Sequence, residues 1–174
     1  MLVPLGPPRQ SQDLVDLLLE CHARIRHFLR LAEEVGGGAG HAAPAVVEAC
    51  QRCERYFVQA LPLHVADEEQ SILPRLRGAS PQVDRALDAM HTEHAAHEPL
   101  LAELLAAARQ VRGGPEDTAA RSRLRTAAAR LAAGLEPHLR AEEEVIFPAV
   151  RGGLGPEVQA RIVAELRARR SPGA

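Results

Sequence analysis

The sequence predicts an all-α protein, an antiparallel up-down-up-down four-helix bundle with a short extra C-terminal helix. Hydrophobic residues make up 46% of the 174 residues but aromatic residues only 2%, so Leu, Ala, Val and Ile must build the core. Ala and Leu favour helices, whereas the aromatic residues that favour strands are scarce. Glycine and proline divide the chain into four long segments and a short fifth one. Short links between long helices are typical of a bundle.

The first two helices are delimited by capping residues, glycines and a proline. Ser11 can cap a first helix that runs to about residue 35, where the glycines at 36–38 end it. Pro44 suits the first turn of a second helix that runs to about residue 77. The apolar residues of the first helix recur at a helical spacing: Leu14, Leu18, Cys21, Ile25, Phe28 and Ala32.

The remaining helices begin at similar signals. Ser80 followed by Pro81 starts a third helix that ends at the glycines 113–114. Pro115 opens a fourth helix that ends near residue 150, and Pro156 starts a short fifth helix that runs to about Arg169. These limits predict a flexible N-terminus at residues 1–10, the bundle at 11–151, and a C-terminal helix and tail at 152–174.

Five prolines fall inside the predicted helices. Each removes a backbone donor and disturbs a regular helix. We expect kinks or breaks near Pro62, Pro99 and Pro137, and we place Pro74 and Pro148 in final, loosened turns.

Composition excludes several classes of protein. No segment reaches the roughly 18 apolar residues that a membrane span needs, and residues 1–10 do not resemble a signal peptide. The net charge of −2 argues against a nucleic-acid partner. The cysteines, Cys21, Cys50 and Cys53, suggest no disulfide framework, so we expect a cytoplasmic protein. For the CxxC pair of Cys50 and Cys53 we favour packing as small hydrophobic residues over a redox role.

An internal repeat carries the functional information. The pattern HxxxEExxI[LF]P occurs at residues 64–74 and again at 138–148, on the second and fourth predicted helices. His22 on the first helix corresponds to His94 on the third. The repeat therefore predicts two helix pairs related by pseudo-twofold symmetry, as an ancestral duplication would leave.

The repeated residues predict a binuclear metal centre. His64 and Glu68 are four residues apart and share one helix face, as do His138 and Glu142. His22 and His94 lie at inward positions of their helices. Burying these groups without partners would cost several kcal/mol, and two buried carboxylates would repel each other. A pair of cations removes both penalties, and imidazole with carboxylate suits iron or manganese. Symmetry suggests two histidines per metal and two bridging glutamates.

The order of these motifs resembles the hemerythrin-like, HHE cation-binding family over about residues 11–151. The segments "ADEEQSILP" and "TEH" are similar to family sequences. The resemblance implies a four-helix bundle with two non-haem iron ions joined by an oxo or hydroxo bridge. Carried over by motif, the implied ligands are His22, His64, Glu68, His94, His138 and Glu142.

The sequence departs from the family's oxygen carriers in its third and fourth helices. The carriers have HxxxH in the third helix and HxxxxD in the fourth, whereas here Glu98 stands four residues after His94. A fifth nitrogen could come from His97, as a ligand or as a residue that orients one, or from His91. Otherwise Glu98 could supply an oxygen. Tyr56 lies two turns before His64 on the same face, where packing is favoured over ligation although a phenol near iron would tune redox behaviour.

The symmetric pattern of the motifs resembles the family members linked to iron handling and to peroxide or nitric oxide defence more than it resembles the oxygen carriers. We therefore predict a di-iron protein that reacts with dioxygen, peroxide or nitric oxide. The alternatives are reversible oxygen binding or sensing without turnover, and an iron-homeostasis module. Whether the protein is an enzyme stays open. No Ser/His/Asp arrangement, phosphate loop or nucleotide fingerprint supports a hydrolase or kinase.

Overall fold

In the computed structural model, residues 13–38, 40 and 42–171 are described, and they form helices and short connections without a strand. The all-α class is thus confirmed. The first, third and fifth helical stretches are α1 (Leu14–Gly37), α5 (Pro81–Gly113) and α8 (Pro156–Arg169). The second stretch, residues 43–76, contains α2 (Ala43–Arg55), α3 (Leu61–Asp67) and α4 (Leu73–Leu76). The fourth, residues 118–153, contains α6 (Thr118–Ala141) and α7 (Phe147–Gly153).

Two of the predicted helix starts are wrong by a few residues. Ser11 lies outside the described residues, and the cap of α1 is Asp13, whose side chain accepts a hydrogen bond from the Asp16 amide. Pro115 precedes α6 in a turn, and the cap is Asp117, which accepts from two amides of the first turn. A carboxylate satisfies these free N–H groups, which a proline cannot do. The Ser80 cap of α5 is confirmed.

Three π-helical turns connect the α-helical segments of the second and fourth stretches. They span Tyr56–Ala60, Glu68–Ile72 and Glu142–Ile146. Each turn ends two residues before a proline. The backbone N–H of the residue between them donates a hydrogen bond to the carbonyl five residues earlier. Because a proline has no N–H and crowds the carbonyl four residues before it, a widened turn accommodates the ring without ending the helix.

The prolines therefore differ from one another in their effect. Pro62, Pro74 and Pro148 each follow a π-helical turn. Pro99 and Pro137 lie inside unbroken helices, so the breaks predicted near them are absent. In both repeats the π-helical turn begins at the glutamate of HxxxE, which places Glu68 and Glu142 at equivalent points of the two helices.

The core has two apolar parts with a polar layer between them. One part is built mainly from α1, α2, α5 and α6 and includes Ile25, Phe57 and Leu131. The other includes Leu18 and Phe147 together with residues of α8. Along α1, His22 falls between Leu18 of one part and Ile25 of the other. The candidate site thus lies in the middle of the bundle, with an apolar part of the core on each side of it along the helices.

Helix packing forms a closed ring of neighbours. α1 packs against α2 and α6, and α5 packs against the same two helices. α8 lies outside the ring against α1 and α3, with Ile162 and Leu166 buried. Among the described residues, no helix combines the length and apolarity that crossing a bilayer requires.

The contact between α1 and α6 leads to a first prediction. A Cβ added at Gly36 would lie 2.5 Å from the Arg125 amide nitrogen and 2.8 Å from the Arg121 carbonyl oxygen, so two backbones would have to separate. We expect Gly36→Ala to lower the free energy of unfolding by about 1–3 kcal/mol, as overpacking does. The neighbouring Gly37 meets only the Arg125 side chain, at 3.3 Å or more.

Gly37→Ala is therefore the matched control for this prediction. Its added methyl group tolerates a small side-chain shift, and alanine favours a helix over glycine by roughly 0.5–1 kcal/mol. Urea unfolding of the two variants would measure the difference. Equal stabilities would contradict the close approach of α1 and α6 at Gly36.

Candidate metal centre

The six residues predicted as ligands lie together in the polar layer. They come from all four bundle stretches: His22 from α1, His64 and Glu68 from the second, His94 from α5, and His138 and Glu142 from the fourth. Five of them are buried, and the side chain of His94 is 9% exposed.

Each glutamate contacts two histidines, with one oxygen for each. Glu142 Oε2 lies 3.0 Å from His22 Nε2, and its Oε1 lies 3.0 Å from His138 Nε2. Glu68 Oε1 lies 3.1 Å from His64 Nε2, and its Oε2 lies 3.2 Å from His94 Nε2. The donor atoms form two groups that share both glutamates. One group adds His22 and His64, and the other adds His94 and His138. Within each group the atoms lie within 4.8 Å of one another.

These close contacts do not have hydrogen-bond geometry. The facing atoms of both glutamates and of His22, His64 and His94 are buried without a hydrogen-bond partner, although they approach as closely as ion pairs. Instead, the donor atoms of each group lie within reach of one common centre. Two ligands at about 2.1 Å from one cation, at a right angle, would lie about 3.0 Å apart. The donor set and its spacing therefore fit a cation in each group.

The electrostatics of the glutamate pair agree with this interpretation. Burial, and then the nearby Glu142, raise the pKa of Glu68 well above its ordinary value. Burial also raises the pKa of Glu142, but its contacts with His138 and His22 outweigh burial and leave the pKa below its ordinary value. Without a cation, the surroundings of the pair therefore favour a proton on Glu68 and the ionised form of Glu142. A bound cation would favour both in the ionised form.

Three further carboxylates, which the sequence did not single out, hold histidines from outside. Glu143 Oε1 lies 2.8 Å from His22 Nδ1, Glu69 Oε1 lies 2.9 Å from His94 Nδ1, and Glu93 Oε2 lies 2.8 Å from His138 Nδ1. In each case the other ring nitrogen faces the centre. A carboxylate on Nδ1 fixes the tautomer that leaves Nε2 free for a metal. The available signal was the second glutamate of each HxxxEE repeat for Glu69 and Glu143, and the "TEH" segment for Glu93.

The additional predicted residues of α5 differ in how deeply they are buried. His97 is half-buried, with its ring centroid 5.2 Å from that of His138. His91 is exposed and contacts Glu69 through Nδ1 at 3.0 Å. Glu98 is exposed on α5.

Tyr56 belongs to an aromatic contact. Its ring stacks on Phe28 at 4.4 Å, and its hydroxyl donates to the Cys21 carbonyl at 3.3 Å. Cys50 and Cys53 are buried free thiols, and burial raises their pKa values to about 11 and about 12. Such thiols stay neutral, which agrees with the predicted packing role.

A buried ion-pair cluster connects α8 to the ligand-bearing helix. Asp67, next to Glu68, is completely buried, and its two oxygens contact Arg169 at 2.8 Å and Arg170 at 2.6 Å. Ser71 donates to Glu165 at 2.6 Å one turn further along. Both sides of the π-helical turn that begins at Glu68 are thus attached to α8.

Comparison with known proteins identifies the relatives of this arrangement. Residues 13–150 match the family described as hemerythrin HHE cation binding domain, and a second match to the same family covers residues 85–168. The chain is also similar to an uncharacterized protein of Haemophilus influenzae (strain ATCC 51907 / DSM 11121 / KW20 / Rd), with 28% identity over 83 residues, 46% of this chain and 48% of that protein. The chain thus spans about half the length of this curated relative.

Proposed function

Since the chain belongs to the family of hemerythrin HHE cation binding domains, we propose that it binds two iron ions in its polar layer and reacts with a small oxidant or diatomic molecule. The observation that carries this proposal is the sharing of both glutamates by two groups of buried donors. The proposed ligands are the six residues of those groups, with Glu68 and Glu142 as bridges. Two imidazoles with carboxylate oxygens are typical of non-haem iron.

The substrate class follows from the number and surroundings of the donors. Each group offers two imidazole nitrogens and two carboxylate oxygens, and comparable sets leave open positions for a small ligand. Apolar side chains enclose the layer on both sides, which favours a small molecule over a larger substrate. Dioxygen, peroxide and nitric oxide are the ligands proposed here, with iron supplying the redox chemistry when bound.

We further propose the antiparallel up-down-up-down topology for the bundle. Contacts between neighbouring helices support it, because residue numbers fall on one helix as they rise on the other. For α1 and the fourth stretch, His22 meets Glu143 and Arg26 meets Glu136. For the third and fourth stretches, Glu93 meets His138 whereas Gln110 meets Arg123.

We also propose a cytoplasmic location. Cys50 and Cys53 are both free thiols on one helix, three residues apart. A reducing compartment preserves such a pair, whereas an oxidising one favours disulfides.

Iron analysis and peroxide breakdown would test the proposal. We expect the anaerobically reconstituted protein to hold two iron ions per chain and to release oxygen from hydrogen peroxide. His138→Ala should lose this oxygen release and part of the iron, because it removes a nitrogen donor from one group. His27→Ala is the matched control, since this exposed histidine of α1 lies away from the six donors.

The alternatives give different results in the same preparation. A reversible near-ultraviolet and visible change with dioxygen, without peroxide breakdown, would favour binding or sensing. Iron-dependent folding alone would favour an iron-homeostasis module. Oxygen release that His138→Ala leaves unchanged would contradict turnover at this centre, and retention of no iron would contradict the metal assignment.

A further inference from the structure

The two groups of donors share their glutamates but differ in how their histidines are held. On the premise of the di-iron function, we propose that the two cation positions are unequal. The cation between His94 and His138, the 94/138 position, binds more tightly and enters first, because both imidazoles are held by outer carboxylates. The cation between His22 and His64, the 22/64 position, enters second.

At the 94/138 position the set of outer hydrogen bonds is complete. His94 contacts Glu69 and His138 contacts Glu93, each through Nδ1 within 2.9 Å. Both rings are therefore oriented before a cation arrives, and their Nε2 atoms are made more basic by the carboxylates.

At the 22/64 position the set is incomplete. His22 contacts Glu143, but His64 Nδ1 is buried and meets no hydrogen-bond partner among the described residues. A His64 ring that binds a cation through Nε2 must carry a proton on Nδ1, and here that proton has no acceptor. An unsatisfied buried donor lowers the stability of the metal-bound form relative to the other position.

The repeat shows where the missing carboxylate would stand. Glu93 immediately precedes His94 on the third stretch, and Cys21 immediately precedes the corresponding His22 on the first. A cysteine side chain has no carboxylate to accept an Nδ1 proton, so this half of the repeat lacks the acid that the other half has. The inequality therefore follows from the residue types at positions 21 and 93, and not from the conformation of one side chain.

The charged residues around the two positions also favour tighter cation binding at the 94/138 position. Near the 22/64 position, Arg26 contacts Glu143 at 2.8 Å and offsets its charge. Arg170, which contacts Asp67 at 2.6 Å, also interacts with Cys21, the residue before His22. The outer carboxylates of the 94/138 position contact histidines and, in the part of the chain that the structure describes, no arginine. A cation therefore gains more electrostatic stabilisation at the 94/138 position.

Titration of the metal-free full chain with Co²⁺ would test this inequality, since Co²⁺ accepts the same nitrogen and oxygen ligands. Loss of one outer partner typically weakens metal binding by about 10–100-fold, so we expect two binding steps separated by about that factor. Crystals grown with one equivalent of Co²⁺ should show the stronger anomalous peak at the 94/138 position.

Two variants should change the Co²⁺ affinities in opposite directions, one by weakening the tighter step and one by strengthening the weaker step. Glu93→Gln should weaken the tighter step by about 10–100-fold, so that the two steps converge. Cys21→Glu should strengthen the weaker step, and Glu103→Gln, exposed on the same helix as Glu93 and paired with Arg130, should change neither. Because Glu93 is 45% exposed and Gln has its size, the first variant tests the inference even if the second does not fold.

The possible outcomes separate this inference from the proposed function. Two equally tight Co²⁺ steps in the unmodified protein, or a stronger anomalous peak at the 22/64 position, would overturn the inequality and leave the binuclear centre intact. Binding of no Co²⁺ at either position would contradict the binuclear centre itself.

Discussion

Glu68→Gln is expected to change stability in opposite directions with and without metal. With metal bound, the variant should lose most of the stabilisation that iron or Co²⁺ gives, because Glu68 belongs to both groups of donors. A ligand present at about 1,000 times its dissociation constant stabilises the folded state by about 4 kcal/mol. We therefore expect a loss of about this size in the free energy of unfolding, together with loss of stoichiometric metal binding.

Without metal, the same variant should be more stable than the unmodified protein at pH 7. The raised pKa of Glu68 means that the folded state keeps a proton that the unfolded chain releases near pH 4.5. Stability of the metal-free protein should consequently fall as pH rises above that value, until the folded pKa is reached. Glutamine resembles the neutral acid in size and does not titrate, so the difference between the two proteins should widen with pH.

Thermal unfolding at several pH values, with and without metal, would measure both effects. Glu144→Gln is the control, because Glu144 is exposed in the same π-helical turn as Glu142. A variant that is less stable than the unmodified protein in both states would show that Glu68 has a structural role and would count against the cation site.

The positions of the six central residues could be predicted because each depends on a local pattern, which is the HxxxE spacing for four of them and an inward place on the helix for His22 and His94. A separation of four residues places His64 with Glu68, and His138 with Glu142, on one helix face. The outer carboxylates depend on contacts between helices instead. Glu143 meets a histidine 121 residues away in the sequence, and no periodicity indicates which neighbour a residue at the edge of a helix face will meet.

The backbone details of the ligand-bearing helices were only partly predictable. Proline indicates that a helix is disturbed, but Pro74 and Pro99 carry the same local signal, and only Pro74 follows a π-helical turn. Asp67 is a stronger example, since a charged residue is ordinarily assumed to face solvent. Its burial depends on two arginines more than a hundred residues later in the sequence.

Removing those two arginines should produce the second large loss of stability. Arg169→Ala combined with Arg170→Ala should lower the free energy of unfolding by about 2–4 kcal/mol, because it leaves the carboxylate of Asp67 buried without a counter-charge. The lower end of this range applies if water reaches the site, since the Arg170 side chain is 35% exposed. The paired control is Arg161→Ala with Arg167→Ala, which changes two exposed arginines of the same helix.

Urea unfolding of a third protein would identify the cause of that loss. Adding Asp67→Asn to the double variant removes the uncompensated charge, so it should recover a large part of the lost stability although it restores no ion pair. The same substitution in the unmodified protein should be destabilising, because it leaves the arginines without their partner. This reversal of sign is specific to a buried ion pair. If Asp67→Asn is destabilising in both backgrounds, α8 is held by its apolar residues Ile162 and Leu166 and not by the charge of Asp67.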